Sequence, residues 1–437
     1  MMKNEERQAY RAAVFFDGTG NNKVNARRDP DKFGVITNIT RLFEACVVSD
    51  KLYVEGVGTL DNEDDSQWAK ATGNNPIGYS GYGYDDKLSK GLDFLATFQQ
   101  TVPNEEVHLL VYGFSRGAAL ARDFAKRALA YSNVRIQFLG IYDTVVSLLR
   151  LTTPAIHFTN QDMERIDQIL HLTAINEARN YFPLTSIQQR NGAQGLLAIE
   201  NYYTPKVKEV FVPGAHADVG GGYAEGAENV LLRKGAASSD ALGDELTIIR
   251  STVVDFFSCS SSQAIWSNLL NESVVLEPVS GGYNLESKRN NVKVDLPVVY
   301  FEVMAAYTNF SLQQDAFEVT STVTIADLQV LKDNLDAYLQ TNVPLKGACF
   351  AYANYAAFTH ISSNYGVLNQ IDVQFNQEVN TFNPALLFQE IDTIRTASPS
   401  ADLEQFNEGM VYQSFSLAPW DINAPNNKEW HRKVIYG

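Results

Sequence analysis

The 437-residue chain contains only three cysteines, Cys46, Cys259 and Cys349, and none of them belongs to a C-x-x-C pair. Their wide spacing argues against a zinc site or a disulfide framework and indicates buried thiols in a protein made in the cytosol. The N-terminal stretch MMKNEERQ is charged and lacks an apolar core, so we expect no secretory signal peptide. No uninterrupted apolar run is long enough to span a bilayer.

Basic residues are also scarce, because 35 lysines and arginines stand against 51 aspartates and glutamates. The resulting formal net charge of −16 argues against a nucleic-acid partner and against electrostatic adsorption to an anionic membrane. A phospholipid substrate remains compatible with this charge if docking is apolar or if the docking face is locally basic. A hydrophobic content of 45% is typical of a globular chain with a large core.

One stretch organises the rest of the chain. The apolar run Val107–Tyr112 leads into Gly-Phe-Ser-Arg-Gly, and small residues with helical spacing follow. This pattern predicts a strand, a tight turn and a helix, with Ser115 at the apex of the turn. Gly113 and Gly117 suit such a turn because side chains there would collide with neighbouring backbone. We therefore predict that Ser115 is the nucleophile of a hydrolase; the alternative is an ordinary serine in a tight turn.

Strands and helices alternate through the first half, which indicates an α/β fold with a mainly parallel sheet covered on both faces. We expect an α/β-hydrolase-like core over residues 1–224 and an accessory region over residues 225–437. Besides the nucleophile strand, the predicted strands are 11–16, 51–58, 134–142, 208–212 and 296–307. The predicted helices are 37–46, 81–98, 161–177, 244–257 and 324–339. The aromatic run 350–361 is compatible with a helix or a strand.

A nucleophilic serine needs a general base, and the base needs a carboxylate that orients it. Such groups lie at the carboxyl ends of strands in open α/β sheets. Asp143 ends the strand after the Ser115 helix, and we predict that it is the acid, although it could instead cap a helix. His216 lies in a glycine-rich loop after an apolar strand, and we predict that it is the base. The order Ser115, Asp143, His216 is that of α/β hydrolases.

Two alternatives stay open from the residues alone. His360, within Phe-Thr-His-Ile-Ser-Ser-Asn-Tyr, competes with His216 for the role of base. Asp218 could orient His216 in place of Asp143, could form an Asx turn, or could bind a metal together with His216. No third ligand has a recognisable spacing, so we predict no metal site and no cofactor. The remaining histidines are assigned to packing surfaces or a polar tail: His108, His157, His171 and His431.

An acyl-transfer site also needs donors for the oxyanion. The backbone N–H of Arg116, directly after the nucleophile, is one predicted donor. The other is the backbone N–H of Gly18 or Thr19, in the glycine-rich loop after the first strand. The acidic cluster at 61–65 could hold a hard cation, but it lacks the regular spacing of a calcium loop, so we interpret it as a solvated loop.

Six motifs of the first half carry a family resemblance. They are Phe-Asp-Gly-Thr-Gly-Asn-Asn at 16–22, Gly-Val-Gly at 56–58, Gly-Tyr-Gly-Tyr at 81–84, Gly-Phe-Ser-Arg-Gly-Ala at 113–118, Tyr-Asp-Thr at 142–144 and Pro-Gly-Ala-His-Ala-Asp-Val-Gly-Gly-Gly-Tyr at 213–223. In this order they resemble the α/β-hydrolase domain of bacterial type VI secretion lipase effectors. The resemblance implies an antibacterial phospholipase with Ser115, Asp143 and His216 at the triad positions of the family.

The resemblance also implies partners and a destination. We expect a cognate immunity protein, contact with the type VI secretion apparatus, and a phospholipid or other ester substrate. The protein would be made in the bacterial cytoplasm and secreted into target cells, to act in the periplasm or at the membrane surface. The region 225–437 would serve as a lid, a membrane-docking element or additional core elements. The alternatives are an esterase or thioesterase for small or polymeric esters, and a non-catalytic hydrolase-fold binding module.

Overall fold

The protein is described by a computed structural model over residues 10–103, 105–146, 156–179, 182–188, 202–236, 238, 274–341, 352–363, 432 and 434–435. The strands in this part are β1 (Tyr10–Phe16), β2 (Asp50–Val54), β3 (Val107–Phe114), β4 (Val134–Tyr142), β5 (Ile166–Ala174), β6 (Leu184–Thr185), β7 (Tyr202–Tyr203), β8 (Val207–Val212), β9 (Gly226–Ala236), β10 (Val274–Val279), β11 (Gly282–Val292) and β12 (Val434–Ile435).

The helices are α1 (Lys23–Arg28), α2 (Pro30–Phe33), α3 (Asn38–Ala45), α4 (Gln67–Thr72), α5 (Tyr84–Thr101), α6 (Arg116–Ala128), α7 (Asn160–Glu164), α8 (His216–Gly220), α9 (Leu296–Leu312) and α10 (Ala326–Gln340), with a 3₁₀ helix at Tyr352–Phe358. Side-chain caps begin several of them; at α3, for example, the Thr37 hydroxyl accepts the Thr40 N–H. Among the described residues, none of these helices is both long and apolar enough to cross a membrane.

The central sheet contains seven strands in the spatial order β2-β1-β3-β4-β5-β8-β7. All neighbours are parallel except the short pair β7–β8. Parallel strands need both faces covered, and the apolar runs of β1, β3 and β4 are accordingly buried almost throughout. The predicted α/β fold with a mainly parallel sheet is confirmed.

The two faces of the sheet belong to two apolar cores. In β1, Val14 and Phe16 pack with α5 and α6 on one face, whereas Ala13 and Phe15 pack with α3 and α9 on the other. This division follows from the alternation of side chains along a strand. The helix α9 lies beyond residue 224, yet its apolar residues belong to the same core as Phe15.

Two predicted elements of the chain are wrong. The segment 296–307 forms the helix α9 rather than a strand, with Pro297 in its first turn. Burial around most of the helix removes the polar stripe that distinguishes a helix from a buried strand. The segment 161–177 is not one helix: a Thr159 capping box begins the short α7, and the buried strand β5 follows. The predicted helix 324–339 is confirmed as α10, and the predicted helix 244–257 lies outside the described residues.

Two smaller sheets complete the described part of the protein. The strands β10, β11 and β9 form an antiparallel sheet. The strand β12 pairs in parallel with β6, so that Val434 lies opposite Leu184. A segment near residue 435 is therefore held beside a segment that follows β5 by only about ten residues.

Candidate active site

The predicted nucleophile Ser115 lies between β3 and α6, at the carboxyl edge of the sheet. Its backbone has φ 58° and ψ −128°, a strained conformation for a residue with a side chain. A Cβ on Gly113 would lie 2.3 Å from the Gly117 carbonyl oxygen, and one on Gly117 would lie 2.3 Å from the Asp17 carbonyl oxygen. The strand, turn and helix predicted here are confirmed, including the need for both glycines. Only 4% of Ser115 is exposed, so the turn lies beneath other parts of the protein.

The structure brings the predicted acid and base together. Asp143 directly follows β4, and His216 begins α8 after β8. His216 Nδ1 lies 2.6 Å from Asp143 Oδ2, across 73 positions of the chain. The His216 ring also packs against the ring of Phe114, the residue before Ser115, with centroids 4.6 Å apart. An ionised carboxylate accepts only, so Nδ1 is the donor and Nε2 of the neutral ring is the proton acceptor.

Asp143 has two further donors. Its Oδ1 accepts the Ala174 N–H at 2.9 Å and Nη2 of Arg432 at 2.7 Å. Burial alone would raise the pKa of Asp143, but the positive charge of Arg432 and the hydrogen bond from His216 hold this pKa below its ordinary value. The acid is therefore ionised at neutral pH, as an orienting carboxylate must be.

The electrostatics also favour a neutral base. Burial lowers the pKa of His216, and the nearby Arg179 acts in the same direction. Asp143 opposes both by stabilising the imidazolium, yet the pKa of His216 remains below its ordinary value. A neutral imidazole is the form that accepts a proton.

The two alternatives from the sequence, His360 as the base and Asp218 as the acid, are paired with one another. His360 Nδ1 lies 2.6 Å from Asp218 Oδ1, and the His360 N–H donates to Asp218 Oδ2 at 2.9 Å. Asp218 Oδ2 also accepts the Ala215 N–H at 2.8 Å at the start of α8. The His360 ring stacks on Tyr223 with centroids 4.1 Å apart. Asp218 and His360 thus form a second acid–histidine pair, separate from the hydrogen bond between Asp143 and His216.

Sequence reasoning missed two groups at the predicted pair: Glu177 beside the base His216, and Arg432 beside the acid Asp143. Glu177 Oε2 accepts the His216 N–H at 3.3 Å, and Glu177 accepts Nε and Nη2 of Arg179, each at 2.9 Å. Burial would raise the pKa of Glu177, but the positive charges of Arg179 and Arg432 lower it to about 2. Glu177 follows β5 by three positions, so the rule that sites lie at carboxyl strand ends was its available signal. Arg432 had no such signal.

The loop after β1 lies against the Ser115 turn. Asp17 Oδ1 accepts the Gly18 N–H at 2.7 Å and the Thr37 hydroxyl at 2.7 Å, so the backbone donor of Gly18 is already engaged. Thr19 Oγ1 accepts Nε of Arg116 at 2.6 Å, which ties this loop to the first residue of α6. All three residues predicted around the oxyanion are therefore neighbours of the turn.

The acidic cluster at 61–65 is engaged with protein partners. Asp64 and Asp65 pair with Lys32 and Lys70, and Asp61 accepts the Asn22 amide at 3.0 Å. Among the described residues, no group of three or more His, Cys, Asp or Glu side chains is arranged to hold a metal ion.

Comparison with known proteins identifies the family. The model of the catalytic domain of the Tle1-like phospholipase effectors of the type VI secretion system (T6SS) matches residues 11–128 and 122–241, more than half of the 437 residues. The chain belongs to this family. The predicted resemblance to type VI secretion lipase effectors is confirmed, and the protein is a phospholipase effector of this system and an ester hydrolase.

Two solved structures are similar to the effector at low sequence identity. A Tle1 effector bound to the VgrG spike of the type VI secretion system shares 16% identity and a TM-score of 0.54, over 99% of this chain and 95% of that one. An uncharacterized protein from Pseudomonas aeruginosa shares 16% identity and a TM-score of 0.38, over 86% of this chain and 62% of that one. Comparison with curated protein sequences gives no match. The first of these structures supports a common fold.

Proposed function

We propose that this effector is a phospholipase of the A type, which cleaves acyl ester bonds through an acyl-enzyme on Ser115. One observation carries the proposal: His216 Nδ1 lies 2.6 Å from Asp143 Oδ2 beside the strained Ser115 turn. A strained serine next to an oriented, neutral imidazole is the arrangement that nucleophilic ester hydrolysis requires.

The reaction proceeds in two halves. Ser115 Oγ attacks the ester carbonyl carbon while His216 Nε2 takes the hydroxyl proton, and Asp143 stabilises the resulting imidazolium. The tetrahedral intermediate collapses, the ester C–O bond breaks, and His216 returns the proton to the departing lysophospholipid alcohol. Water then attacks the acyl-enzyme with His216 again as base, which releases the fatty acid and restores Ser115.

The oxyanion is held by two backbone donors. The N–H of Arg116 lies at the start of α6, where the helix dipole favours negative charge. Of the two predicted donors in the loop after β1, Thr19 is favoured over Gly18, because the Gly18 N–H already donates to Asp17. The contact from Arg116 Nε to Thr19 Oγ1 supports this placement of the loop.

The second pair supports the base rather than replacing it. Asp218 is engaged by both the ring and the backbone of His360, so it is not available to orient His216. We therefore assign general base catalysis to His216 and a supporting role to His360.

We also propose that the secretion apparatus delivers this effector into target cells, where it degrades phospholipids in the periplasm or at the membrane surface. Membership of the effector family supports this destination. A related Tle1 effector is bound to a VgrG spike, which supports a spike protein as the carrier of this chain. A phospholipase that damages membranes also calls for an immunity protein in the producing cell.

The test is mass spectrometry of the products from purified full-length protein and dispersed phosphatidylethanolamine with two different acyl chains. Free fatty acid together with the matching lysophospholipid is the expected result, and it identifies the cleaved position. Ser115→Ala is expected to abolish release, whereas Ser132→Ala, at an exposed serine, retains it. Release of phosphorylated headgroups, or equal turnover by Ser115→Ala, would overturn the proposal. Turnover of short esters alone would restrict the activity to an esterase.

A further inference from the structure

Arg432 reaches the predicted acid from the far end of the chain. Its Nη2 lies 2.7 Å from Asp143 Oδ1, across 289 positions, and both side chains are 0% exposed. The strand β12 begins two residues later and pairs with β6, and Val434 is buried. The docking of β12 is therefore what holds the guanidinium at the acid.

A purely structural role explains this arginine poorly. Two of its nitrogens, Nε and Nη1, are buried without a hydrogen-bond partner in the described part of the protein. Burying a guanidinium is unfavourable unless its donors are satisfied. Arg122, another buried arginine, illustrates the structural alternative, because it donates to three backbone carbonyls.

Arg432 also balances the charge around His216. Asp143, Glu177 and the Arg179 guanidinium act on the ring, and Arg432 acts on both carboxylates. The next carboxylate, Asp218, is paired with His360. With these groups ionised, the four charges around His216 sum to zero, and loss of Arg432 would leave one uncompensated negative charge beside the ring.

We propose that Arg432 is a positioning residue: it holds Asp143 Oδ1, so that Oδ2 faces His216, and it makes the docked strand β12 part of the active site. The inference rests on the proposed function, because it assigns Arg432 to the acid and base of that reaction. The two carboxylate oxygens thereby have separate tasks, since Oδ1 is held by Arg432 and Ala174 while Oδ2 serves the base.

Loss of Arg432 should change both the pH profile and the kcat of ester hydrolysis. Removing the positive charge of Arg432 favours the imidazolium, so the pKa of His216 rises and less neutral base is present at a given pH. The acidic limb of the pH profile of kcat/KM therefore moves to higher pH, on the order of one pH unit. Looser positioning of Asp143 also lowers kcat by about 10- to 100-fold while KM changes little.

Three full-length variants separate these effects from simple destabilisation. Arg432→Met removes the charge at similar length, Arg432→Lys keeps it, and Leu95→Ala destabilises the apolar core around α5 without touching β12 or the charge. The pH profile is measured with a soluble short-chain ester, and the His216 ring is titrated by NMR in protein labelled at histidine. We expect the acidic limb of the pH profile and the titration midpoint of His216 to move to higher pH in Arg432→Met only. Arg432→Lys should retain most of kcat.

The NMR titration does not depend on turnover, so it separates this inference from the proposed function. If Ser115→Ala hydrolyses esters as fast as the unchanged protein, the proposed function fails, whatever Arg432 does. If Arg432→Met leaves both the His216 midpoint and the acidic limb in place, or if Arg432→Lys and Leu95→Ala shift them as much as Arg432→Met does, Arg432 is structural and this inference is overturned.

Discussion

Asp218 holds His360 at two points, because Oδ2 accepts the His360 backbone N–H at 2.9 Å and Oδ1 lies 2.6 Å from Nδ1. The two residues are 142 positions apart, so this contact fastens the segment around residue 360 to α8, the helix that begins with His216. Ser362 extends the attachment by donating to Glu177, which also accepts the His216 N–H. The region after residue 224 therefore supports the base through Asp218 and Glu177.

The first prediction concerns the choice between the two histidines. His216→Ala should lower kcat for ester hydrolysis by about 10³-fold or more, because it removes the proton acceptor. His360→Ala should keep turnover within about tenfold of the unchanged protein and lower its melting temperature, because it removes the ring that pairs with Oδ1 of the buried Asp218. Steady-state kinetics and thermal unfolding provide the two measurements. Loss of turnover in His360→Ala together with full activity in His216→Ala would reverse the assignment.

The second prediction uses the strain at the nucleophile. Ser115 has a positive φ of 58°, which a glycine adopts more easily than a residue with a Cβ. We expect Ser115→Gly to be more stable to urea than Ser115→Ala by about 1 kcal/mol, with both variants inactive. Both variants lack the hydroxyl, so its loss does not contribute to the difference between their stabilities. A less stable glycine variant would show that the turn is not strained in solution.

The third prediction concerns Gly113, where β3 passes close to α6. Gly113→Ala would bring a Cβ to 2.3 Å from the Gly117 carbonyl oxygen, so we expect a loss of about 3 kcal/mol in the free energy of unfolding. Gly226→Ala is the matched control, because no heavy atom lies within 4 Å of its added Cβ. Urea denaturation compares the two, and equal stabilities would contradict the close approach at Gly113.

The fourth prediction is a pH dependence of stability. The pKa of Glu177 is lowered to about 2 in the folded protein, so its ionised form stabilises the fold above its ordinary pKa of 4.5. This contribution is lost as the pH falls from about 4.5 towards 2. We expect Glu177→Gln to be less stable than the unchanged protein by about 3 kcal/mol at pH 7, with a smaller difference at pH 3.

Urea unfolding at both pH values measures this difference. Glu44→Gln is a suitable control, since Glu44 pairs with Arg27 on the surface and both side chains are exposed. Its difference from the unchanged protein should be small at either pH. A deficit of Glu177→Gln that grows below pH 4 would contradict the assignment of a stabilising, ionised Glu177.

Local patterns were sufficient to predict the nucleophile turn and the mainly parallel sheet. The apolar run before Ser115 predicts a strand, the two closely spaced glycines predict a tight turn, and the small residues after them predict a helix. Each of these signals is local. The alternation of strands and helices predicted the parallel sheet for the same reason. The rule that polar groups collect at carboxyl strand ends then selected Asp143 and His216, which the fold places 2.6 Å apart.

Contacts between residues far apart in the chain could not be predicted from local patterns. The segment 296–307 is apolar because α9 is buried within a core, and burial alone does not distinguish a helix from a strand. Nothing near residue 432 indicates an arginine that reaches Asp143, since their contact depends on the pairing of β12 with β6. The partnership of Asp218 with His360 likewise exists only after distant segments have folded together. Local sequence thus specified the nucleophile turn and proposed its partners, whereas the assembled fold set which charges surround the base.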